Sequence, residues 1–242
     1  MADDIIKSES FVALFDILGF SDLVKDNELD KVVRTYLRAK KEFENTISHI
    51  NAILQKDAVS FRNFSDTFLI YTSEVNDMSF LALLAACDSL FLAAIENELL
   101  IRGAITVGEL IVSDGIEIGK AIVEAYENEK KQDWIGCWIT DHCMNKIIKN
   151  EHLPGKDIVE YEIPFKDGAI KKGYAFNWIK SLPRKVMFAN KKNDFTLEEI
   201  KNELKLFQKK PLDWSIKRKH DNTNKFIEFV LSPEFLEIYK SH

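Results

Sequence analysis

Two aspartates stand where a short chain could bring them together. Asp16 closes the apolar run Phe11–Asp16 (FVALFD) and is followed three residues later by Gly19. Asp66 lies in the link Ser65–Asp66–Thr67 between two β-favouring runs, Ala58–Phe64 and Phe68–Tyr71. A run of that kind reads as a buried strand ending in a loop, and the pair of runs as a tight hairpin with a carboxylate at its tip. If these strands are neighbours, the two carboxylates converge and can hold two divalent cations, Mg²⁺ or Mn²⁺. Cations so placed neutralise triphosphate oxygens and lower the pKa of an attacking hydroxyl, which is the chemistry of phosphoryl transfer. The plain alternative is that Asp16 caps the next helix and Asp66 is a turn residue.

The elements that would position these groups follow from periodicity. Leu29–Ile53 carries apolar residues at helical spacing with charges between them and reads as a long amphipathic helix. Met78–Leu100 is rich in Leu and Ala, without a breaker, and reads as a buried helix. Ile101–Val107 reads as a strand with a short partner over Glu109–Val112, Ile118–Lys131 as a third helix and Ile135–Thr140 as another strand. The order strand, helix, strand, strand, helix, strand is the βαββαβ pattern of a ferredoxin-like α+β fold, an antiparallel sheet with helices on one face. Residues 1–140 form this core. Residues 141–242 form an α/β extension packed on it, with strands at Asp157–Ile163 and Ala169–Trp178 and helices at Thr196–Gln208 and Asp213–Tyr239.

Composition narrows the classes of function. The chain has 242 residues, 46% hydrophobic and 30% charged, with only 9 Gly and 5 Pro, which is ordinary for a globular protein. No stretch approaches the roughly 20 apolar residues of a membrane span, and Met1–Ser10 is acidic rather than a basic leader, so a cytoplasmic protein is expected. Cys87, Cys137 and Cys143 lack disulfide or zinc spacing and read as buried thiols. A net charge of −6 argues against nucleic acid as a partner. His49, His142, His152, His220 and His242 show no metal spacing, and Trp134, Trp138, Trp178 and Trp214 read as packing residues. Lys217, Arg218 and Lys219 read as a wet helix face.

Four segments in register carry a family resemblance. FDILGFSDL, Phe15–Leu23, resembles the signature of the class III adenylate and guanylate cyclases, matched at Asp16, Ile17, Gly19, Phe20 and Ser21. FRNFSDTFLIY, Phe61–Tyr71, is similar to the family's second metal hairpin, with Ser65 in place of its usual Gly and Asp66 retained. LLIRGAITVGEL, Leu99–Leu110, resembles the family strand with glycines at Gly103 and Gly108, and Gly119 opens a helix as in the family. The resemblance implies Asp16, Asp66 and the Ile17 carbonyl as ligands of two metals per site. It also implies that the amides of Leu18, Gly19, Phe20 and Ser21 face the phosphates of a nucleoside triphosphate.

The departures matter as well. The family's Asn and Arg on the helix after Gly119 correspond to Val123 and Glu127, so another cation is required, with Arg102, Lys120, Lys130 and Lys131 as candidates. The family's Lys and Asp that read adenine correspond to Arg62 and Ile116. Arg62 donates and cannot accept, which suits the two carbonyls of uracil before cytosine, with its one carbonyl and an amino donor. RGAITVGEL and AIVEAYENE, with the extension, resemble the pyrimidine cyclases of the bacterial Pycsar antiphage systems. This resemblance implies a cytoplasmic homodimer with sites at its interface, making cyclic UMP or cyclic CMP for a separate effector. An adenylate or guanylate cyclase, or a degenerate nucleotide-binding dimer, is the alternative.

Overall fold

A computed structural model of the chain describes residues 6–147, 157–182, 185–186, 191, 196–204 and 214–235. Its elements are β1 (Ile6–Ile17), α1 (Phe20–Asp26), α2 (Leu29–Leu54), β2 (Val59–Phe64), β3 (Thr67–Thr72), α3 (Asp77–Glu96), β4 (Ile101–Ser113), β5 (Ile116–Ile118), α4 (Lys120–Lys131), β6 (Cys137–Ile139), α5 (Asp141–Ile147), β7 (Ile158–Pro164), β8 (Ile170–Phe176), α6 (Leu197–Glu203) and α7 (Trp214–Val230). The strands form one eight-stranded sheet in the order β2-β3-β1-β4-β6-β8-β7, with β5 hairpinned onto β4. Every pairing is antiparallel except β4 with β6. The expected α+β fold with its βαββαβ core is present.

Alternation along β1 sorts the two faces. Phe11, Ala13, Phe15 and Ile17 enter the main core with α2 and α3, and Val12 and Leu14 enter a smaller cluster with Ala121 and Ala125 of α4. The first two long helices thus share one face, and α4 covers part of the other, whereas helices on one face only were expected. On the main face Phe15 meets Phe91 edge-on and Phe43 meets both Phe61 and Phe68. α3 alone among the described helices has the length and composition of a membrane span, contrary to the expectation that no such stretch exists. Most of that helix is buried in the core, which accounts for its apolar character.

Several boundaries differ from those expected. Glu109–Val112 is not a separate strand but the continuation of β4, because Ile6–Ser10 of β1 extends early enough to pair with it, from Ile6↔Val112 to Ser10↔Gly108. The partner is β5, so α4 starts at Lys120 and not at Ile118. A Cβ on Gly119 would come within 2.1 Å of the Glu109 carbonyl, so only Gly lets the helix start this close to β4. α3 ends at Glu96 before two turn residues, and α1 and α5 are short helices that the periodicity did not announce. The ends of the helices expected at Thr196–Gln208 and Asp213–Tyr239 lie outside the described residues, as do His152 and His242. Trp134, Trp138 and Trp178 are buried packing residues, while Trp214 is exposed and packs in no core. The three cysteines are buried free thiols.

The strands after residue 141 continue the core sheet, β8 lying beside β6 and β7 at the edge. α7 closes over them: Phe226 meets both Trp134 and Tyr161, and the Thr223 hydroxyl accepts from the Ile135 amide at 2.8 Å. Arg218 and Lys219 are not simply a wet face, since both reach the buried Asp133 carboxylate, Lys219 at 3.6 Å.

At the tip of the β2–β3 hairpin Ser65 adopts φ +53°, a left-handed conformation that costs an L-residue about 1 kcal/mol. Ser65→Gly relieves this and loses part of the gain to the freer unfolded chain. The expected net effect is a stabilisation of about 0.5 kcal/mol, read as a higher denaturant midpoint at unchanged slope. A lower midpoint would show that the Ser65 side chain, and not the turn, sets the hairpin.

Candidate active site

β1 lies between β3 and β4, so its C-terminal end is flanked on both sides. Asp16 pairs with Thr67 across the β1–β3 ladder and with Arg102 across the β1–β4 ladder. The Ile17 amide donates to the Asp66 carbonyl at 2.9 Å, which ties the hairpin tip to the strand end. The structure thus brings Asp16, Ile17 and Asp66 to one corner of the sheet. Gly19 follows with φ +72° as the residue before α1, a left-handed turn for which Gly is the unstrained choice.

Charge is concentrated at this corner. Burial, then the nearby carboxylates of Glu129 and Asp66, push the Asp16 carboxyl up to about 6, against the pull of Arg102 and Lys130. Among the described residues neither Asp16 nor Asp66 has an ion-pair partner. A second carboxylate beside Asp16 adds to the cost of its ionisation, and a bound divalent ion would remove that repulsion. No cluster of three or more His, Cys, Asp or Glu suited to a metal occurs among the described residues. Two carboxylates beside backbone oxygens are hard oxygen donors, the kind that Mg²⁺ or Mn²⁺ takes together with water.

One of the four amides that the resemblance turns toward phosphates is already engaged within the sheet. The Leu18 amide donates to the Leu100 carbonyl at 2.8 Å and is taken. Those of Gly19, Phe20 and Ser21 stand at the open start of α1, where a helix supplies no acceptor.

The candidate cations fall in different places. Arg102 is 4% exposed and bound to Glu129, itself 2% exposed, Nε and Nη2 reaching Oε1 at 2.7 and 2.5 Å, while Nη1 donates to the Gln132 carbonyl at 2.9 Å. Lys120 lies out at Glu109, 3.3 Å away, and Lys131 donates to the Asn128 side chain at 3.1 Å. Lys130 is exposed beside this corner, near enough to Asp16 for each to influence the other's charge, with its ammonium over the Tyr126 ring at 4.0 Å and bonded to the Tyr126 hydroxyl. Val123 and Glu127 are exposed on the outer face of α4, and Glu124 meets His142 at 3.3 Å.

Arg62 points along the open part of the α4 face. Its side chain is 53% exposed and its Nε forms an ion pair with Glu117 Oε1 at 2.7 Å, where the Tyr71 hydroxyl donates at 3.2 Å. Glu117 is 8% exposed, whereas its neighbour Ile116 points to solvent. The residue facing Arg62 is thus Glu117, one position from the Ile116 that register along the sequence suggested. Glu117, Tyr71 and Glu129 were missed because each owes its position to β5 or α4 folding back over the sheet. The only sequence signal was the alternation Ile116–Glu117–Ile118, which puts one carboxylate on the face opposite two exposed isoleucines.

No family model matches the sequence, and no curated protein matches it. In three dimensions the chain is similar to the catalytic core of a rhodopsin-guanylyl cyclase with converted specificity, solved in complex with ATPαS, at 15% identity and a TM-score of 0.51 over 72% of this chain and 97% of that one. It is similar to an adenylate/guanylate cyclase/hydrolase from Silicibacter pomeroyi, at 15% identity and a TM-score of 0.51 over 72% and 98% of the two chains. A bacterial light-regulated adenylyl cyclase gives 14% identity and a TM-score of 0.51 over 85% of this chain and 59% of that one. What is shared at these identities is the fold, the α+β architecture of the class III cyclase core.

Asp16 carries a folded-state pKa of about 6 against an ordinary 3.8, so the folded chain holds that proton more tightly than the unfolded one. Its contribution to stability is therefore greatest below about pH 4 and is lost as pH rises through about 6. Asp16→Asn is expected to stabilise the metal-free protein by about 1 kcal/mol at pH 8, a value discounted for the half-exposed carboxyl. The advantage should shrink toward zero near pH 4. Denaturant titrations with chelator at both pH values check this, and an advantage that persists at low pH would contradict it.

Proposed function

We propose that the chain is a nucleotidyl cyclase that converts a pyrimidine nucleoside triphosphate, UTP before CTP, into the 3′,5′-cyclic nucleotide and pyrophosphate. The observation that carries this reading is the convergence of Asp16 and Asp66, both without an ion-pair partner among the described residues, at the end of the internal strand β1 of a cyclase-type sheet. Residues 1–140 hold every group of the site, and residues 141–242 form the extension.

Asp16, Asp66 and the Ile17 carbonyl are assigned as the seat of two Mg²⁺ or Mn²⁺ ions. Bound there, the ions supply charge neutralisation of the triphosphate and acidify the 3′-hydroxyl. The amides of Gly19, Phe20 and Ser21 receive β- and γ-phosphate oxygens at the start of α1. The 3′-oxygen bonds to the α-phosphorus as the bond to the β-phosphate oxygen breaks, pyrophosphate leaves, and the hydroxyl proton passes to water. Arg102 is spoken for by Glu129 and Gln132, so the cation beside the reacting phosphate is assigned to Lys130, the one exposed lysine of the candidates whose charge acts on Asp16.

Arg62 is assigned to the base, its guanidinium set at a fixed angle by Glu117 and donating to a pyrimidine carbonyl. The side chain of Ile116 offers no hydrogen bond to a purine. A homodimer is proposed because β5 and the outer face of α4 expose Ile116, Ile118, Val123 and Tyr126, apolar area that a second copy of the chain covers. The likeness of RGAITVGEL and AIVEAYENE to the Pycsar cyclases supports a cytoplasmic second-messenger role in antiphage defence, with a separate effector responding to the cyclic nucleotide. The second reading is an adenylate or guanylate cyclase, favoured by the names of the similar structures.

Incubation with each of the four NTPs and Mn²⁺ should give cyclic product and pyrophosphate from UTP fastest, then CTP. Equal or faster use of ATP or GTP would overturn the pyrimidine assignment and leave the cyclase. Asp16→Ala and Asp66→Ala should each lower the rate by at least about a hundredfold without lowering the melting temperature. A near wild-type rate in either variant would remove the metal seat. Arg62→Ala should compress the UTP-to-CTP ratio toward unity, since a donor matched to one base discriminates strongly; an unchanged ratio would take Arg62 out of the base pocket.

A further inference from the structure

Asp16 faces an arginine that it does not use. The two residues stand directly opposite each other in the β1–β4 ladder, and residues so paired project to the same face with Cβ atoms about 5 Å apart. At that spacing an arginine and an aspartate pair by default, often through two parallel hydrogen bonds. Such a pair would occupy the oxygens that a cation needs. In this structure the Arg102 guanidinium turns away: Nε and Nη2 go to Glu129 Oε1 at 2.7 and 2.5 Å, and Nη1 goes to the Gln132 carbonyl at 2.9 Å.

We infer that Glu129 is a positioning residue that draws the Arg102 guanidinium off Asp16 and so leaves the Asp16 carboxylate open to the divalent cations. The inference rests on the metal seat proposed above. Both members of the Arg102–Glu129 pair are almost fully buried, where a charge cannot be left to water and must keep its partner. The carbonyl that takes the third guanidinium nitrogen is fixed as well. Gln132 donates through Nε2 to the Gly103 and Asn128 carbonyls at 2.8 and 2.9 Å, and its Oε1 accepts from Trp134 Nε1 at 2.7 Å. The end of α4 and the turn after it therefore form a receptor for the guanidinium. The charge on Asp16 is consistent with this: burial and Glu129 outweigh Arg102 in their effect on it. The other nearby cation, Lys130, is held on Tyr126.

Removing Glu129 while keeping Arg102 returns the guanidinium to Asp16. The test is a Mn²⁺ titration of the full chain without nucleotide, followed by the electron paramagnetic resonance of the free ion, on wild type, Asp16→Asn, Glu129→Gln and Arg102→Met/Glu129→Gln. Wild type is expected to bind Mn²⁺ and Asp16→Asn to lose that binding. Glu129→Gln should weaken it about tenfold or more, the strength of a charged hydrogen bond that the cation must now displace. The double variant, which has no guanidinium to move, should return to near the wild-type affinity. A thermal melt accompanies each, because Glu129→Gln leaves a buried charge unpaired. If it unfolds, the double variant decides alone, since neutral replacement of both partners is tolerated: wild-type affinity supports the inference and a tenfold loss overturns it. Wild-type affinity in a folded Glu129→Gln overturns it too. If Asp16→Asn binds as wild type does, the metal seat itself falls, and this inference with it.

Discussion

The antiparallel ladder between β1 and β4, twelve residue pairs from Ile6↔Val112 to Ile17↔Ile101, is the constraint on which the remaining arrangement depends. A strand period of two fixes which residues of both strands face α2 and α3 and which face α4. A slip of one residue would send Phe11, Phe15 and Ile17 to the half-covered face and Asp16 into the aromatic core. The hydrophobic cost of that exchange is large, so the ladder is held in register by the same aromatic side chains that fill the core. Asp16 is placed at the rim as a consequence of their burial.

The second face of the sheet is where charge is managed. It carries Asp16, Arg102, Arg62 and Tyr71, with α4 over one part and β5 over another. Each arginine on it is matched by a carboxylate from an element that folds back: Arg102 by Glu129 of α4, and Arg62 by Glu117 of β5. Among the described residues the two aspartates have no ion-pair partner, which is the opposite of what stability alone favours. A carboxylate without a partner at the rim of a well-packed sheet carries a cost that a bound cation would offset.

The strands and helix after residue 141 are tied to the same region. The turn between α4 and β6 presents Gln132 to Arg102 on one side and Asp133 to Arg218 and Lys219 of α7 on the other. Trp134, next in sequence, stacks on Tyr161 of β7 and meets Phe226 of α7. Three consecutive residues thereby join the rim of the sheet to the last long helix. The α7 contacts hold the turn that holds Gln132, and through Gln132 the orientation of Arg102.

What the sequence by itself determined were the features governed by near neighbours. The apolar run ending at Asp16, the hairpin around Asp66, the long amphipathic helix after Leu29 and the turn at Gly19 could all be read from residues within a few positions of each other. The extra length of β4 was not legible, because Glu109–Val112 is a strand only where Ile6–Ser10 comes alongside it. Tertiary structure alone decided which carboxylate meets which cation. Arg102 and Glu129 are 27 positions apart and Arg62 and Glu117 lie on different strands, so no local propensity distinguishes Glu117 from its neighbours or Arg102 from the lysines. A charged side chain chooses its partner by distance and burial in the folded chain, and those exist only once α4 and β5 have closed over the sheet.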